Sequence, residues 1–79
     1  MQLSQLEVGR PGVVVGFAEQ GMARQARYLS LGLIPGAAVR VLRIAPLGCP
    51  LQIKVGSTML SIRRVEAHDI RVEVAHEAV

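Results

Sequence analysis

Aromatic residues and cysteine are scarce in this 79-residue chain, and their scarcity excludes several kinds of protein. One tyrosine, one phenylalanine and no tryptophan cannot line the aromatic groove with which SH3 domains bind proline-rich peptides. Single-stranded nucleic acid, whose bases stack on aromatic rings, is disfavoured for the same reason. The single cysteine, Cys49, cannot form an internal disulfide, whereas small secreted domains carry several.

Catalytic and nucleotide-binding motifs are also missing. Neither His68 nor His76 has a serine or cysteine at a spacing typical of a nucleophile pair, so the chain is not expected to be an enzyme. No glycine-rich loop is followed by Lys-Ser or Lys-Thr, which disfavours nucleotide binding.

Long hydrophobic runs are absent as well. The longest apolar stretches, such as residues 13–15, are far shorter than the roughly 20 residues that cross a bilayer, so no direct membrane insertion is expected. The N-terminal segment has no basic stretch followed by an apolar run, and we therefore expect no signal peptide. Together with the cysteine usage, these features predict a soluble, cytoplasmic protein.

What is present is a high aliphatic content and a small positive charge. Hydrophobic residues make up 51% of the chain, which is enough for one compact core and predicts a single domain over residues 1–79. The formal net charge of +3 comes from eight arginines and Lys54, with acidic residues interspersed along the chain. This balance favours acidic partners or a negative membrane surface, but it is not the clustered basic stripe of a nucleic-acid reader.

The first part of the chain predicts a strand followed by a helix. A β-branched run predicts a buried strand over residues 13–18, which ends before Gly21. Good helix formers then predict an α-helix over about residues 22–31. Helical spacing would place four apolar residues on one side of this helix, namely Met22, Ala26, Leu29 and Leu33.

From residue 37 the hydrophobic period changes to two, which predicts strands. We expect strands over residues 37–45, 51–55, 58–62 and 70–74, a two-residue hairpin at Gly56-Ser57 and a short helical turn at 65–69. Five short strands with one inserted helix predict a mainly β fold, a small SH3-like five-stranded barrel. An OB-type barrel is the nearest alternative, but its helix lies between the third and fourth strands.

The residues able to bind a metal do not follow a known spacing. Cys49, His68, Asp69 and His76 are competent ligands, yet none is arranged as CxxC or HxxxH. They are expected either to be ordinary surface residues or to form a site shared between two chains. In the shared site, Cys49 and His68 of each copy would bind zinc or another divalent transition metal in a homodimer, and no cofactor would be required otherwise.

The ordered set of motifs in this sequence resembles the FeoA family. The motifs that carry the resemblance are Leu6, Gly9 and Gly12, Arg27-Tyr28-Leu29, Leu31-Gly32-Leu33, Pro35-Gly36, Ala45-Pro46-Leu47-Gly48, Pro50, Gly56, Leu60, Ile62-Arg63, Ala67, Ile70 and Val72. At Cys49 the family pattern usually has an aspartate, so this loop departs from the type.

The resemblance implies a function as well as a fold. It implies an SH3-like barrel with an inserted helix that acts in ferrous iron transport with FeoB, a membrane permease that carries a cytoplasmic G domain. The chain would be an accessory protein that docks onto the cytoplasmic portion of that permease. The alternatives are a small transition-metal-binding protein and a stand-alone SH3-like module related to the C-terminal domain of iron-dependent repressors.

The partner-binding surface is predicted on the helix and on the loop from Pro46 to Pro50, because loops and insertions on a rigid barrel are where binding function tends to lie. Arginine and tyrosine are favoured interface residues. The candidates are Arg24, Arg27, Tyr28 and Leu47. A solvated helix face is the alternative for the arginines.

Overall fold

The computed structural model describes residues 1–76, so the last three residues of the predicted 1–79 domain lie outside the described part. The elements in chain order are a 3-10 helix (Leu3–Gln5), β1 (Pro11–Phe17), a second 3-10 helix (Glu19–Arg24), α1 (Gln25–Ser30), β2 (Ala38–Ile44), β3 (Leu51–Val55), β4 (Thr58–Ile62), α2 (Arg64–Asp69) and β5 (Ile70–Val74). The four strands, the hairpin and the helical turn predicted after residue 37 are all present, with ends shifted by at most one residue.

The five strands form one antiparallel sheet in the order β4-β3-β2-β1-β5. The mainly β architecture is as predicted. The closed barrel needs a correction, since within residues 1–76 no pairing joins the two edge strands, β4 and β5. The register shifts in β1 between Val14 and Gly16, and in β2 between Val41 and Arg43, are irregularities of the kind that bends a strand. The sheet is therefore irregular and open between its two edges.

The turn between β3 and β4 sets the pairing register of these two strands. Val55 pairs with Thr58, so the loop consists of Gly56 and Ser57 only. Gly56 has a φ of +58°, as the first central position of a type II′ turn requires. Because this tight turn fixes the register, alternate residues of β3 lie in the core at Leu51, Ile53 and Val55.

The apolar residues that alternate along each strand pack together in one core. The fully or nearly fully buried apolar residues are Leu3, Leu6, Val14, Tyr28, Leu33, Val39, Val41, Leu51, Ile53, Val55, Ile62, Ala67, Ile70 and Val72. Leu60 has the same phase as Ile62 but is only half-buried, since it lies on the edge strand β4. The first 3-10 helix adds Leu3 to this core and packs against α2.

The inserted helix differs from the sequence-based prediction. Residues 19–24 form a 3-10 helix, and α1 covers only Gln25–Ser30 instead of about 22–31. A 3-10 helix has 3.0 residues per turn, whereas the prediction assumed 3.6 residues per turn throughout. The predicted apolar side is therefore wrong where the 3-10 helix meets α1. Met22 and Leu29, which the spacing placed on one apolar side with Leu33, are 54% and 39% exposed. Tyr28 is fully buried and stacks on Phe17, with ring centroids 5.8 Å apart.

Candidate functional site

Two buried carboxylates on α2 hold the inserted helix in place. Glu66 and Asp69 are 2% and 1% exposed, and each accepts a charged hydrogen bond from the helical insertion. Nε of Arg27 donates to Glu66 Oε2 at 2.8 Å. Arg24 donates to Asp69 Oδ2 through Nε at 2.8 Å and Nη2 at 2.7 Å. These pairs join the insertion to α2 at two levels, one helical turn apart.

Asp69 is also joined to the core tyrosine. The Tyr28 hydroxyl donates to Asp69 Oδ2, and Arg24 Nε lies 3.2 Å from the same hydroxyl. Burial raises the pKa of Tyr28, and its hydrogen bond to Asp69 acts in the same direction. Gly21 allows the close approach, because a Cβ at that position would lie 2.6 Å from Cβ of Asp69.

Glu66 remains ionised although it is buried. Burial opposes its charge and by itself would raise its pKa, but hydrogen bonds from the Arg63 backbone and the Arg27 side chain outweigh burial. The pKa of Glu66 is therefore lowered. The Arg63 N–H donates to Oε1 at 2.9 Å, so one carboxylate both begins α2 and binds the insertion.

The structure gives the three helix candidates different roles. The side chains of Arg24 and Arg27 are 42% and 55% exposed, so each binds a buried carboxylate and still presents surface to solvent. Tyr28 has no exposed surface, and its predicted contact with a partner is corrected. Its ring belongs to the core, where it positions Asp69 and Phe17.

The loop before β3 exposes Leu47 more than any other large apolar residue of the described chain. Leu47 is 97% exposed at the tip of a bend that the Gly48 N–H closes onto the Ala45 carbonyl at 2.8 Å. Arg64, the first residue of α2, donates from Nε to the Gly48 carbonyl at 2.9 Å. The loop is thus fixed to the first residue of α2.

These contacts join the insertion, α2 and the loop, and we call four exposed side chains of these three elements the helix–loop surface. It consists of Arg24 and Arg27 on the insertion, Val65 on α2 and Leu47 on the loop. Val65 is 51% exposed, although the two residues that follow it are buried. The surface combines two arginines with two exposed aliphatic residues, which is a composition suited to binding another protein.

The predicted metal ligands Cys49 and His68 contact different residues of the chain. The Cys49 sulfur is exposed and accepts the Arg64 N–H at 3.4 Å, whereas His68 Nδ1 lies 2.7 Å from the Ser4 hydroxyl. Within residues 1–76, no group of three or more His, Cys, Asp or Glu side chains is arranged to hold a metal ion. One chain therefore does not fit a closed zinc site, which takes four ligands, and the site shared between two chains stays a prediction.

Sequence reasoning missed the role of the two acidic residues that hold the insertion on α2. Glu66 was not selected and Asp69 was considered only as a metal ligand, because carboxylates are ordinarily exposed. A signal for them was present, because both the arginines at 24 and 27 and the acids at 66 and 69 are three residues apart. Two such pairs on neighbouring helical turns are able to bind each other in register.

Among the helices of the described chain, none has the length and apolarity that crossing a bilayer requires.

Comparison with known proteins gives one family. A sequence profile described as the FeoA domain matches residues 1–74. The "Fe(2+) transport protein A/Fe(2+) transporter FeoB fusion protein" of Porphyromonas gingivalis is 34% identical over 74 residues, which are 94% of this chain and 9% of that protein. This chain therefore spans only a small part of the length of that relative.

Solved structures share the fold. The solution structure of the FeoA protein from Chlorobium tepidum has a TM-score of 0.84 and 39% identity, covering 96% of this chain and 71% of that one. FeoA of Stenotrophomonas maltophilia, described as an SH3 domain protein and crystallised with zinc, has a TM-score of 0.74 and 33% identity, covering 92% and 89%. The predicted SH3-like fold is thereby confirmed.

Proposed function

The chain belongs to the FeoA family, which acts in ferrous iron transport, and from this premise we propose that it is a non-catalytic accessory protein that docks onto a FeoB-type permease. The site of docking would be the permease's cytoplasmic portion, which includes its G domain. The protein would act from the cytoplasm without entering the membrane.

The single observation that carries this proposal is the fusion in Porphyromonas gingivalis, where a FeoA protein and a FeoB transporter are one chain. Covalent linkage raises the effective concentration of one module beside the other, which favours a contact between them. The same contact in this protein would form between two separate chains.

The helix–loop surface is the contact face that we propose. Leu47 is almost completely exposed on a loop held in place by Arg64, so a partner would bury an apolar side chain with little loss of loop entropy. Arg24 and Arg27 bind carboxylates of α2 and provide partly exposed guanidinium groups. Arginines at the rim of an apolar contact supply hydrogen bonds to carbonyl and carboxylate groups.

The test is capture of the purified cytoplasmic portion of the permease by the immobilised full chain. Leu47→Asp should weaken binding by roughly tenfold or more, about 1.4 kcal/mol, because it places a charge in an apolar contact. Val8→Asp is the matched control, since Val8 is also an exposed apolar loop residue but lies outside the helix–loop surface. Equal binding by both variants and the wild type would move the contact to another face.

The arginines need paired variants, because removing Arg24 or Arg27 alone takes the nearest cation away from a buried carboxylate. We therefore test Arg27→Gln together with Glu66→Gln, which removes the charge pair and leaves no buried ion. The double variant should bind the permease portion more weakly than Glu66→Gln alone. No difference between them would assign Arg27 to holding the fold only.

A zinc-bridged dimer is the second candidate, favoured by the relative from Stenotrophomonas maltophilia that was crystallised with zinc. Light scattering of this chain with zinc and with a chelator tests it. A dimer that forms with zinc and is lost in Cys49→Ser and His68→Gln would support the shared site. A wild type that is monomeric in both conditions would exclude it.

A further inference from the structure

The backbone of β4 leaves hydrogen-bonding groups open at the edge of the sheet. The two-residue turn makes Val55 and Thr58 a hydrogen-bonded pair, and such pairs alternate with non-hydrogen-bonded ones along an antiparallel ladder. Met59 and Ser61 therefore direct their N–H and C=O groups away from β3. None of these four groups has a hydrogen-bond partner within residues 1–76. They form a template for one further extended strand.

The opposite edge of the sheet is already covered. The Val72 N–H donates to the Met1 carbonyl at 2.8 Å, and the Met1 amino group donates to the Val72 carbonyl at 3.1 Å. Gln2 forms an isolated antiparallel bridge with Arg71 beside this pair. The chain thus uses its own N-terminus to pair β5, whereas nothing in the described residues pairs the outer side of β4.

The surroundings of the β4 edge are positively charged. No Asp or Glu lies between Glu19 and Glu66, although seven of the nine Lys and Arg residues do. Arg43 on β2 and Lys54 on β3 are exposed, and neither has an ion-pair partner within the described chain. The nearest carboxylate after β4 is Glu66, which is buried and bound to Arg27.

A cleft lies on the outer face of the sheet next to this edge. Arg43, Gln52 and Ser61 are cross-strand neighbours on β2, β3 and β4. With Ala45 and Pro50 they line an open cleft of about 240 Å³. A guanidinium, an amide and a hydroxyl group at one cleft favour a carboxylate side chain.

We propose that the free edge of β4 takes up an extended acidic segment of the permease's cytoplasmic portion as a sixth strand; this rests on the proposed function and adds a second contact to it. Main-chain hydrogen bonds would form at Met59 and Ser61, and an acidic side chain of the added strand would enter the cleft at Arg43. Strand addition of this kind takes its affinity from the main chain and its specificity from alternate side chains.

The positive charge around β4 favours an acidic segment over a second copy of the chain as the strand that pairs with this edge. Self-pairing along β4 would add the Arg43 and Lys54 of one copy to the same sheet as those of the other, without any exposed acidic residue on β2, β3 or β4 to offset them. Like charges across strands destabilise a sheet, whereas an acidic segment neutralises them. The open N–H and C=O groups likewise favour a polypeptide over an anionic lipid surface, because an extended backbone presents donors and acceptors at the spacing of the strand edge.

The first test is amide hydrogen exchange of the wild-type chain, free and bound to the purified cytoplasmic portion of the permease. Strand addition should slow exchange at Met59 and Ser61 by roughly tenfold or more, because their N–H groups become hydrogen-bonded. Amides that exchange as fast in the complex as in the free chain would overturn the proposal. Binding that persists in that case would leave the proposed function intact.

Variants provide the second test. Ser61→Pro removes an outward N–H that β3 does not use, a position where edge strands tolerate proline. It should weaken binding about tenfold, whereas Ser61→Thr, which keeps the N–H, should bind as the wild type does. Arg43→Gln should weaken binding several-fold, with Arg71→Gln on β5 as its matched control.

Each remaining outcome contradicts the proposal in a different way. A wild-type chain that does not bind the cytoplasmic portion at all overturns both the strand addition and the proposed function. A dimer, measured by light scattering, that forms in the wild type and is lost in Ser61→Pro identifies a second copy as the occupant. The wild type and Ser61→Pro could bind anionic vesicles equally and not bind the permease portion. That result would mean that the positive charge around β4 binds a lipid surface instead.

Discussion

The two edge strands of the sheet, β4 and β5, have the same length and very different surroundings. β5 is paired by Met1 and Gln2, follows α2 with its buried carboxylates, and carries an acidic residue, Glu73. The outer edge of β4 is unpaired within the described residues, and its Met59 side chain is 66% exposed. The strand lies in the part of the chain without exposed acidic residues.

The difference shows where this chain satisfies its own polar groups and where it leaves them open. Charged residues beside β5 are bound to one another, so that side supplies the contacts that hold the helical insertion on the sheet. Beside β4, Arg43 and Lys54 have no ion-pair partner within residues 1–76, and the outward N–H and C=O groups of Met59 and Ser61 have no hydrogen-bond partner there. Both edges nevertheless share one hydrophobic core.

The largest expected effect tests that shared core. Ile62 on β4 and Val72 on β5 are 1% and 0% exposed, so alanine at either should lower the free energy of unfolding by roughly 2–4 kcal/mol. In a small domain this is a large part of the total stability. Urea unfolding measures both variants. A small loss for Ile62→Ala and a large one for Val72→Ala would show that the β4 side is not part of the same cooperative unit.

The next effect is confined to the β5 side. Asp69→Asn removes the charge that binds Arg24 and weakens the acceptor of the buried Tyr28 hydroxyl, so we expect a loss of about 1–3 kcal/mol in unfolding free energy. Glu73→Gln, an exposed carboxylate on the following strand, should change stability by less than about 0.5 kcal/mol. Equal effects of the two substitutions would mean that the buried pair contributes no more than a surface charge.

A smaller effect depends on pH. The pKa of Glu66 is lowered in the folded chain, so its ionised form contributes stability above the pKa of the unfolded chain, and this contribution is lost as pH falls through the folded pKa. Arg27→Gln removes part of it and should cost about 1 kcal/mol near pH 7. The difference from the wild type should shrink below about pH 4. Thermal unfolding between pH 3 and 7 measures it, with Arg71→Gln as the control; a difference independent of pH would exclude Glu66 as its cause.

The strands could be predicted from the sequence, whereas the buried contacts of Tyr28, Glu66 and Asp69 around α2 could not. Alternating residues such as Ile53 and Val55, with the Gly56-Ser57 turn, determine a hairpin locally. Burial of Tyr28 depends on a 3-10 turn before α1 and on Asp69, which is distant in the chain. The open edge of β4 depends on the order of all five strands, which no local pattern specifies.

The smallest effect requires no substitution and compares the two edges directly. In the free chain, the Val72 amide is bonded to the Met1 carbonyl, whereas the Met59 and Ser61 amides face solvent. Val72 should therefore exchange its amide hydrogen more slowly than Met59 and Ser61 by roughly tenfold or more, with no change in global stability. Exchange measured by NMR under native conditions provides the rates. Leu60 serves as an internal control, because its N–H is directed to β3 and should be protected although it lies between the two fast amides. Protection of Met59 and Ser61 in a chain that light scattering shows to be monomeric would mean that the β4 edge is already covered, and the contrast between the two edges would disappear.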